Sequence, residues 1–256
     1  MFGMKRRKRE KLKAGPFPSE WQGIIDGNVS YFRRLWPEDQ DELRGHINIF
    51  MAEKRFEGLG GLEMNDEVRV TIAAQACVLL LHRETDYYPS LISILVYPRH
   101  YYVHTSHRLP DGTVEEGVEQ RLGESWHRGE VVLSWGDVLR GGLERNHGEN
   151  VVFHEFAHQL DDENGAHDGV PLLPDRAMFE EWVSVMKTEY ERLIYDVDHY
   201  RMTVLRPYGA TNPAEFFAVS TEAFFENPLE LKTFHPVLYE QLKLYYRQDP
   251  ASRLMH

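Results

Sequence analysis

The segment Asn150–Asp161, which reads NVVFHEFAHQLD, constrains the fold more than any other part of the chain. Asn150 can cap a helix, and no helix breaker follows it before Gly165. The run Val-Val-Phe gives this helix an apolar face to bury. Positions four apart on a helix lie one above the other, so His154 and His158 present their imidazoles to one point. The segment therefore predicts a buried helix that carries two neighbouring imidazoles.

Two imidazoles on one helical face are typical of a zinc site, and Glu155 stands where a general base for a water molecule is needed. Zinc accepts imidazole nitrogen readily, and catalytic zinc takes three protein ligands and a water. An ordinary helix with two hydrogen-bonded histidines is the alternative interpretation. We predict one Zn²⁺ per chain, held by His154, His158 and a third ligand.

The third ligand is expected to be a carboxylate on a later helix, because the sequence after His158 lacks the metzincin histidine. Glu215 and Glu222 are the candidates, and a spacing of seven places both on one helical face. Glu215 also fits a capping box with Asn212. Glu222 stands among aromatic residues and would need a cation, a metal or a donor to stay ionised. Spacing leaves the choice between them open.

Four polar residues just after the motif are weaker candidates for metal ligands. Asp161 is interpreted as an acceptor for an imidazole or as a cap for the helix end, rather than as a ligand. We interpret Asp162, His167 and Asp168 as part of a solvated loop.

The spacing of apolar residues divides the chain into helices, a small sheet and helices again. Helical spacing extends over 18–57 and 65–83; β-branched and aromatic runs follow over 91–97, 101–104 and 129–135, with a hairpin at 108–117; helical spacing returns over 149–160, 176–194, 213–226 and 235–246. This order predicts an α+β fold with a small mixed sheet at about 91–135, flanked by helices. Since no Gly-, Ser- or Pro-rich linker divides the chain, we expect one domain over residues 16–256, with its zinc-site helices at about 149–226.

Charge is distributed unevenly. The net charge is −12, of which residues 1–13 contribute +6 and the remainder −18. We therefore expect residues 1–15 to be a disordered basic tail, and an acidic body that disfavours nucleic acid as the main partner. No apolar run is long enough for a membrane span. The single cysteine, Cys77, favours a reducing compartment, and we predict a cytoplasmic location.

The sequence resembles the Mlc titration factor A family of bacterial zinc metallopeptidases. The resemblance lies in HEFAHQLD, in the following NG and GVP, and in YGATNPAEFFAVSTEAFF. It covers nearly the whole chain and is most specific over 150–171 and 208–228. Through this family the chain is also similar to the catalytic domain of anthrax lethal factor. The resemblance implies a zincin-like fold, with the HExxH motif on a central helix.

The resemblance also implies roles for particular residues. It makes Glu215 the third ligand of a gluzincin-like site, and Tyr208 a residue that faces the metal and stabilises an oxyanion. Glu222 then becomes a carboxylate that accepts an N–H from a ligand imidazole.

The implied activity is hydrolysis of short peptides in the manner of an aminopeptidase, with Glu155 as general base. The peptide would lie along a sheet edge formed by GEVVLSW (129–135) or by the strand before it. The alternative is a regulatory protein that binds a transcriptional repressor, with a zinc site that is structural or weakly active.

Overall fold

The computed structural model describes residues 2–99, 101–108, 114–121, 123–126, 129–143 and 148–254. Within these ranges the helices are α1 (Phe2–Lys13), α2 (Ser19–Asn28), α3 (Pro37–Glu53), α4 (Asp66–Val78), α5 (Trp135–Leu143), α6 (Val151–Asp161), α7 (Arg176–Asp198), α8 (Pro213–Glu226), α9 (Pro228–Phe234) and α10 (Pro236–Tyr246). The strands are β1 (Arg55–Gly58), β2 (Ser93–Tyr97), β3 (Tyr101–Arg108), β4 (Val114–Arg121), β5 (Gly123–Trp126) and β6 (Glu130–Ser134). Helices therefore dominate, and the predicted α+β class is confirmed.

The main sheet has the strand order β1-β2-β6-β5. The first three strands are parallel, and β5 pairs antiparallel with β6 at the end of the sheet. Strand β1 was not predicted, because we expected the preceding helix to continue through Phe56. The helix instead ends at Glu53, and residues 55–58 pair with 93–96. Four residues are too few for alternation of apolar side chains to show in the sequence.

Strands β3 and β4 form a separate antiparallel pair, with Tyr101 opposite Arg121. This pairing agrees with the hairpin predicted at 108–117. The Pro-Asp-Gly turn of that prediction falls in residues 109–113, outside the described residues.

The basic N-terminus is a helix, so the predicted disordered tail is wrong for residues 2–13. Arg9 anchors this helix: its Nη2 lies 2.7 Å from Glu53 Oε2, and its guanidinium lies 4.6 Å above the ring of Tyr87. Leu12 packs against the hydrophobic core. The apolar contact of Leu12 and the guanidinium of Arg9 thus dock the helix, and Lys5 Nζ adds an ion pair 2.8 Å from Asp86 Oδ1.

The core surrounds α4, as its apolar sequence predicts. Every residue from Val70 to Val78 is buried, and Asn65 caps the helix by accepting the N–H of Val68 at 3.0 Å. Helix α6 packs between α4 and α8, and also contacts β5 and β6. Among the described helices, none is both long and apolar enough to cross a membrane.

Candidate metal centre

Helix α6 is fixed at its first turn by a buried asparagine. Asn150 Oδ1 accepts the N–H of Phe153 at 3.0 Å, which satisfies one of the free amides at the helix start. Its Nδ2 donates to Gln75 Oε1 at 2.9 Å and to Glu226 Oε1 at 3.2 Å. These contacts tie the start of α6 to α4 and to the end of α8. The predicted cap is thus present, in a more extensive network than the sequence indicated.

Three predicted ligands meet where α6 passes the start of α8. His154 Nε2 lies 3.0 Å from Glu215 Oε2, and His158 Nε2 lies 3.5 Å from the same oxygen. One ligand atom from each residue lies within 4.8 Å of the other two. Asn212 caps α8 by accepting the N–H of Glu215 at 2.9 Å, while the Glu215 side chain turns toward the histidines. Glu155, next to His154 on α6, is buried beside this cluster.

Glu222 lies behind His154, on the opposite edge of the ring from Glu215. Its Oε1 is 2.9 Å from His154 Nδ1, and its Oε2 accepts from Arg206 Nη2 at 2.6 Å. The structure therefore places Glu215 in the cluster and Glu222 outside it, behind the ring of His154. Sequence reasoning missed Arg206, although the signal existed: a carboxylate among aromatic residues needs a cation, and Arg206 supplies it.

Two further rings border the cluster. Tyr208 lies on a 3₁₀ turn, Pro207–Ala210, with its ring centroid 6.0 Å from that of His154 and its side chain half exposed. His167 packs on the other histidine, with ring centroids of His158 and His167 4.9 Å apart. His167 lies in an exposed loop, as predicted, and the loop brings its ring against the cluster, which the sequence did not indicate. Asp161 is buried and accepts the N–H of Gly169 at 2.9 Å, outside the cluster.

Comparison with known proteins decides the family. The model of the glucose-regulated metallo-peptidase M90 family matches residues 3–247. The chain belongs to this family. It is 45% identical over 248 residues to an uncharacterized protein of Synechocystis sp.. The matched stretch covers 94% of this chain and 89% of that protein.

Two relatives called Mlc titration factor A support the same assignment. The protein from Escherichia fergusonii is 30% identical and that from Klebsiella pneumoniae 31%, each over 229 residues, 88% of this chain and 85% of the relative. The resemblance found in the sequence is therefore confirmed. Membership of this metallo-peptidase family implies a bound metal.

The charges around the cluster of His154, His158 and Glu215 favour a bound cation. Burial lowers the pKa of His154, but the charge of Glu222 and the hydrogen bonds of both carboxylates outweigh it and raise that pKa to about 10. Burial raises the pKa of Glu215, and hydrogen bonds from the two histidines outweigh it and lower the pKa. A positive charge is thus favoured between the two carboxylates. Two imidazole nitrogens and one carboxylate oxygen form a donor set that fits zinc.

Proposed function

We propose that this chain is a zinc-dependent metallopeptidase that hydrolyses short peptides as an aminopeptidase. The convergence of His154 Nε2, His158 Nε2 and Glu215 Oε2, with Glu155 beside them on the same helix, carries the proposal. In it, these three residues hold one Zn²⁺ as a gluzincin does. Zinc, when bound there, supplies a Lewis acid that polarises a peptide carbonyl and lowers the pKa of water from about 16 to about 7.

The residues of the chain supply the proton transfers and the orientation. The Glu155 carboxylate takes a proton from the attacking water and delivers it to the nitrogen of the leaving amine. The Tyr208 hydroxyl donates a hydrogen bond to the oxyanion that develops on the carbonyl oxygen. Glu222, held by Arg206, fixes the orientation of the His154 ring through its contact with Nδ1.

The sheet supports a site for an extended substrate, and with it a zincin-like fold. We expected the peptide to lie along GEVVLSW or along the strand before it. Strand β6, which lies within GEVVLSW, is paired on both sides, whereas β5 ends the sheet and contacts α6. The edge of β5 is therefore the place where a peptide adds as a further strand, with main-chain hydrogen bonds that give weak sequence preference.

A second candidate function is binding of a transcriptional repressor. Its support is the name Mlc titration factor A, carried by relatives at 30% and 31% identity. On this proposal the partner is an Mlc-like repressor, and the zinc site is structural or weakly active. A cytoplasmic location belongs to both proposals, supported by the single, buried cysteine Cys77.

Cleavage of chromogenic peptides by the purified chain tests the first proposal. We expect hydrolysis that chelation abolishes and zinc restores, and a loss of about 10²–10⁴-fold in kcat for Glu155→Gln with zinc retained. Glu180→Gln, an exposed substitution on α7 that leaves the cluster intact, is the matched control. If Glu155→Gln cleaves as fast as the parent, the mechanism is wrong. Full zinc occupancy with no hydrolysis of any peptide favours the repressor-binding function.

A further inference from the structure

Arg206 binds one oxygen of Glu222 and leaves the other facing a metal ligand. Its Nε donates to Glu222 Oε2 at 3.0 Å, and its Nη2 donates to the same oxygen at 2.6 Å. The second oxygen, Oε1, lies 2.9 Å from His154 Nδ1. The side chain of Glu222 is 1% exposed, and a carboxylate buried so deeply needs a cation beside it. Arg206 therefore determines how Glu222 is presented to the ring of His154.

The same residue leads into the turn that carries Tyr208. Arg206 comes directly before the 3₁₀ turn Pro207–Ala210, and its carbonyl oxygen accepts the N–H of Gly209 at 3.0 Å. Tyr208 is the second residue of this turn, and its ring centroid lies 6.0 Å from that of His154. Arg206 thus contacts the site twice, through its side chain behind His154 and through its backbone beside Tyr208.

The turn is fixed to α8 at both ends. A Cβ added to Gly209 would lie 3.3 Å from Val219 Cβ, so the backbone after Tyr208 packs closely on that helix. On the other side Leu205 is buried in the core, and Arg206 adds the polar contact to α8. Tyr208 is therefore held against the helix that also supplies the third predicted ligand.

We propose that Arg206 is a positioning residue that fixes Tyr208 and His154 relative to each other. Its side chain orients the ring of the metal ligand through Glu222, and its backbone places the hydroxyl that donates to the oxyanion. The inference rests on the proposed peptidase function and names the residue on which two of its contacts jointly depend. Metal and hydroxyl act on one substrate oxygen, so a misplacement of about 1 Å between them can cost about 100-fold in rate.

Zinc affinity tests the link from Arg206 to His154. Competition with a chelator measures it for the parent and for Arg206→Met, which keeps the length of the side chain without its charge. We expect zinc to bind Arg206→Met about tenfold more weakly. Removing a cation would by itself strengthen the binding of Zn²⁺, so weaker binding reports the lost orientation of the ligand. Zinc binding as tight as in the parent, or tighter, overturns the inference.

A phosphinic analogue of trialanine tests the link from Arg206 to Tyr208 without turnover, because its tetrahedral phosphinate resembles the oxyanion. Calorimetry measures its affinity for the parent, Arg206→Met, Tyr208→Phe and the double variant, each at a zinc concentration that fills the site. We expect Arg206→Met to weaken binding about tenfold in the parent, but no more than about twofold in the Tyr208→Phe background. Equal losses in the two backgrounds overturn the inference.

Two further variants separate this role from a general effect on the fold. Arg206→Lys keeps the charge and should recover part of both affinities; if Arg206→Met does not fold, Arg206→Lys carries the same comparisons with smaller expected losses. Arg140→Met is the matched control, because Arg140 Nη2 lies 2.6 Å from the buried Asp137 on α5, a helix that carries none of the cluster residues. Both affinities should match the parent in Arg140→Met, and losses there as large as in Arg206→Met overturn the inference.

Cleavage of chromogenic peptides by the parent decides separately on the peptidase function. If the parent cleaves no peptide but both affinities change as described, the inference stands and the peptidase proposal fails. If peptides are cleaved and the affinities do not change, the reverse holds. Failure of the zinc-loaded parent to bind the phosphinic analogue contradicts both.

Discussion

Removing the Asn150 side chain tests how firmly the start of the metal-site helix is held. Asn150→Ala deletes the acceptor for the Phe153 N–H and three donor contacts, to Gln75, Gly141 and Glu226. Loss of a helix cap costs about 1 kcal/mol. Each buried acceptor left without its donor adds about 1 kcal/mol where no water replaces it. Because Asn150 is 2% exposed, water does not readily replace it, and we expect a total loss of about 4 kcal/mol in the free energy of unfolding.

Asn65→Ala provides the control, because Asn65 makes the same cap at the same distance on α4 but is exposed. Asn65→Ala should lower the free energy of unfolding by about 1 kcal/mol, because it removes only the helix cap. Urea unfolding followed by circular dichroism measures both variants, each with the metal removed so that metal affinity does not contribute. If Asn150→Ala costs no more than Asn65→Ala, the buried network contributes nothing and the reasoning is refuted.

Three other predictions concern pH, metal and the N-terminal helix. Burial raises the pKa of Glu226 from 4.5 to about 7, so its contribution to stability is full below pH 4.5 and is lost as the pH rises through 7. Between pH 5 and pH 8 the parent should therefore lose about 2 kcal/mol more than Glu226→Gln in urea unfolding, and parallel curves would contradict this. Chelation should lower Tm by about 5–10 °C, because zinc at a hundredfold excess over its Kd adds about 2.7 kcal/mol; an unchanged Tm would count against the site. Arg9→Ala should expose residues 5–13 to trypsin because it breaks the pair with Glu53, whereas Arg6→Ala, whose partner Glu10 lies on the same helix, should not; equal cleavage would show that Arg9 does not dock α1.

The elements with strong local signals were predictable. The cap at Asn150 and the apolar run after it identified α6, and the apolar sequence of α4 identified the central helix. Strand β1 and helix α1 were missed because tertiary contacts decide them. The first exists through pairing with β2, and the second docks through the ion pair of Arg9 with Glu53.

The candidate site likewise contains residues whose position the sequence predicts and residues whose position depends on tertiary structure. The spacing of His154 and His158 is local, so the sequence was enough to pair them. Glu215 and Glu222 share a helix face, so their spacing could not show which of them joins the two histidines. That depends on how α8 crosses α6. The place of His167 depends on a loop with positive φ at Gly165 and Gly169, and such a path cannot be read from residue types alone.

Zinc content per chain is the most direct test of the metal centre, measured by plasma mass spectrometry after dialysis against zinc-free buffer. The account predicts one zinc in the parent, near-complete loss in Glu215→Ala, and retention in Glu222→Gln with an affinity about 10–100-fold weaker. Glu222→Gln keeps the shape of the side chain that contacts His154 Nδ1 but removes its negative charge, so it weakens the hold on the ring without removing a ligand. Full zinc in Glu215→Ala together with its loss from Glu222→Gln would reverse the assignment of the third ligand.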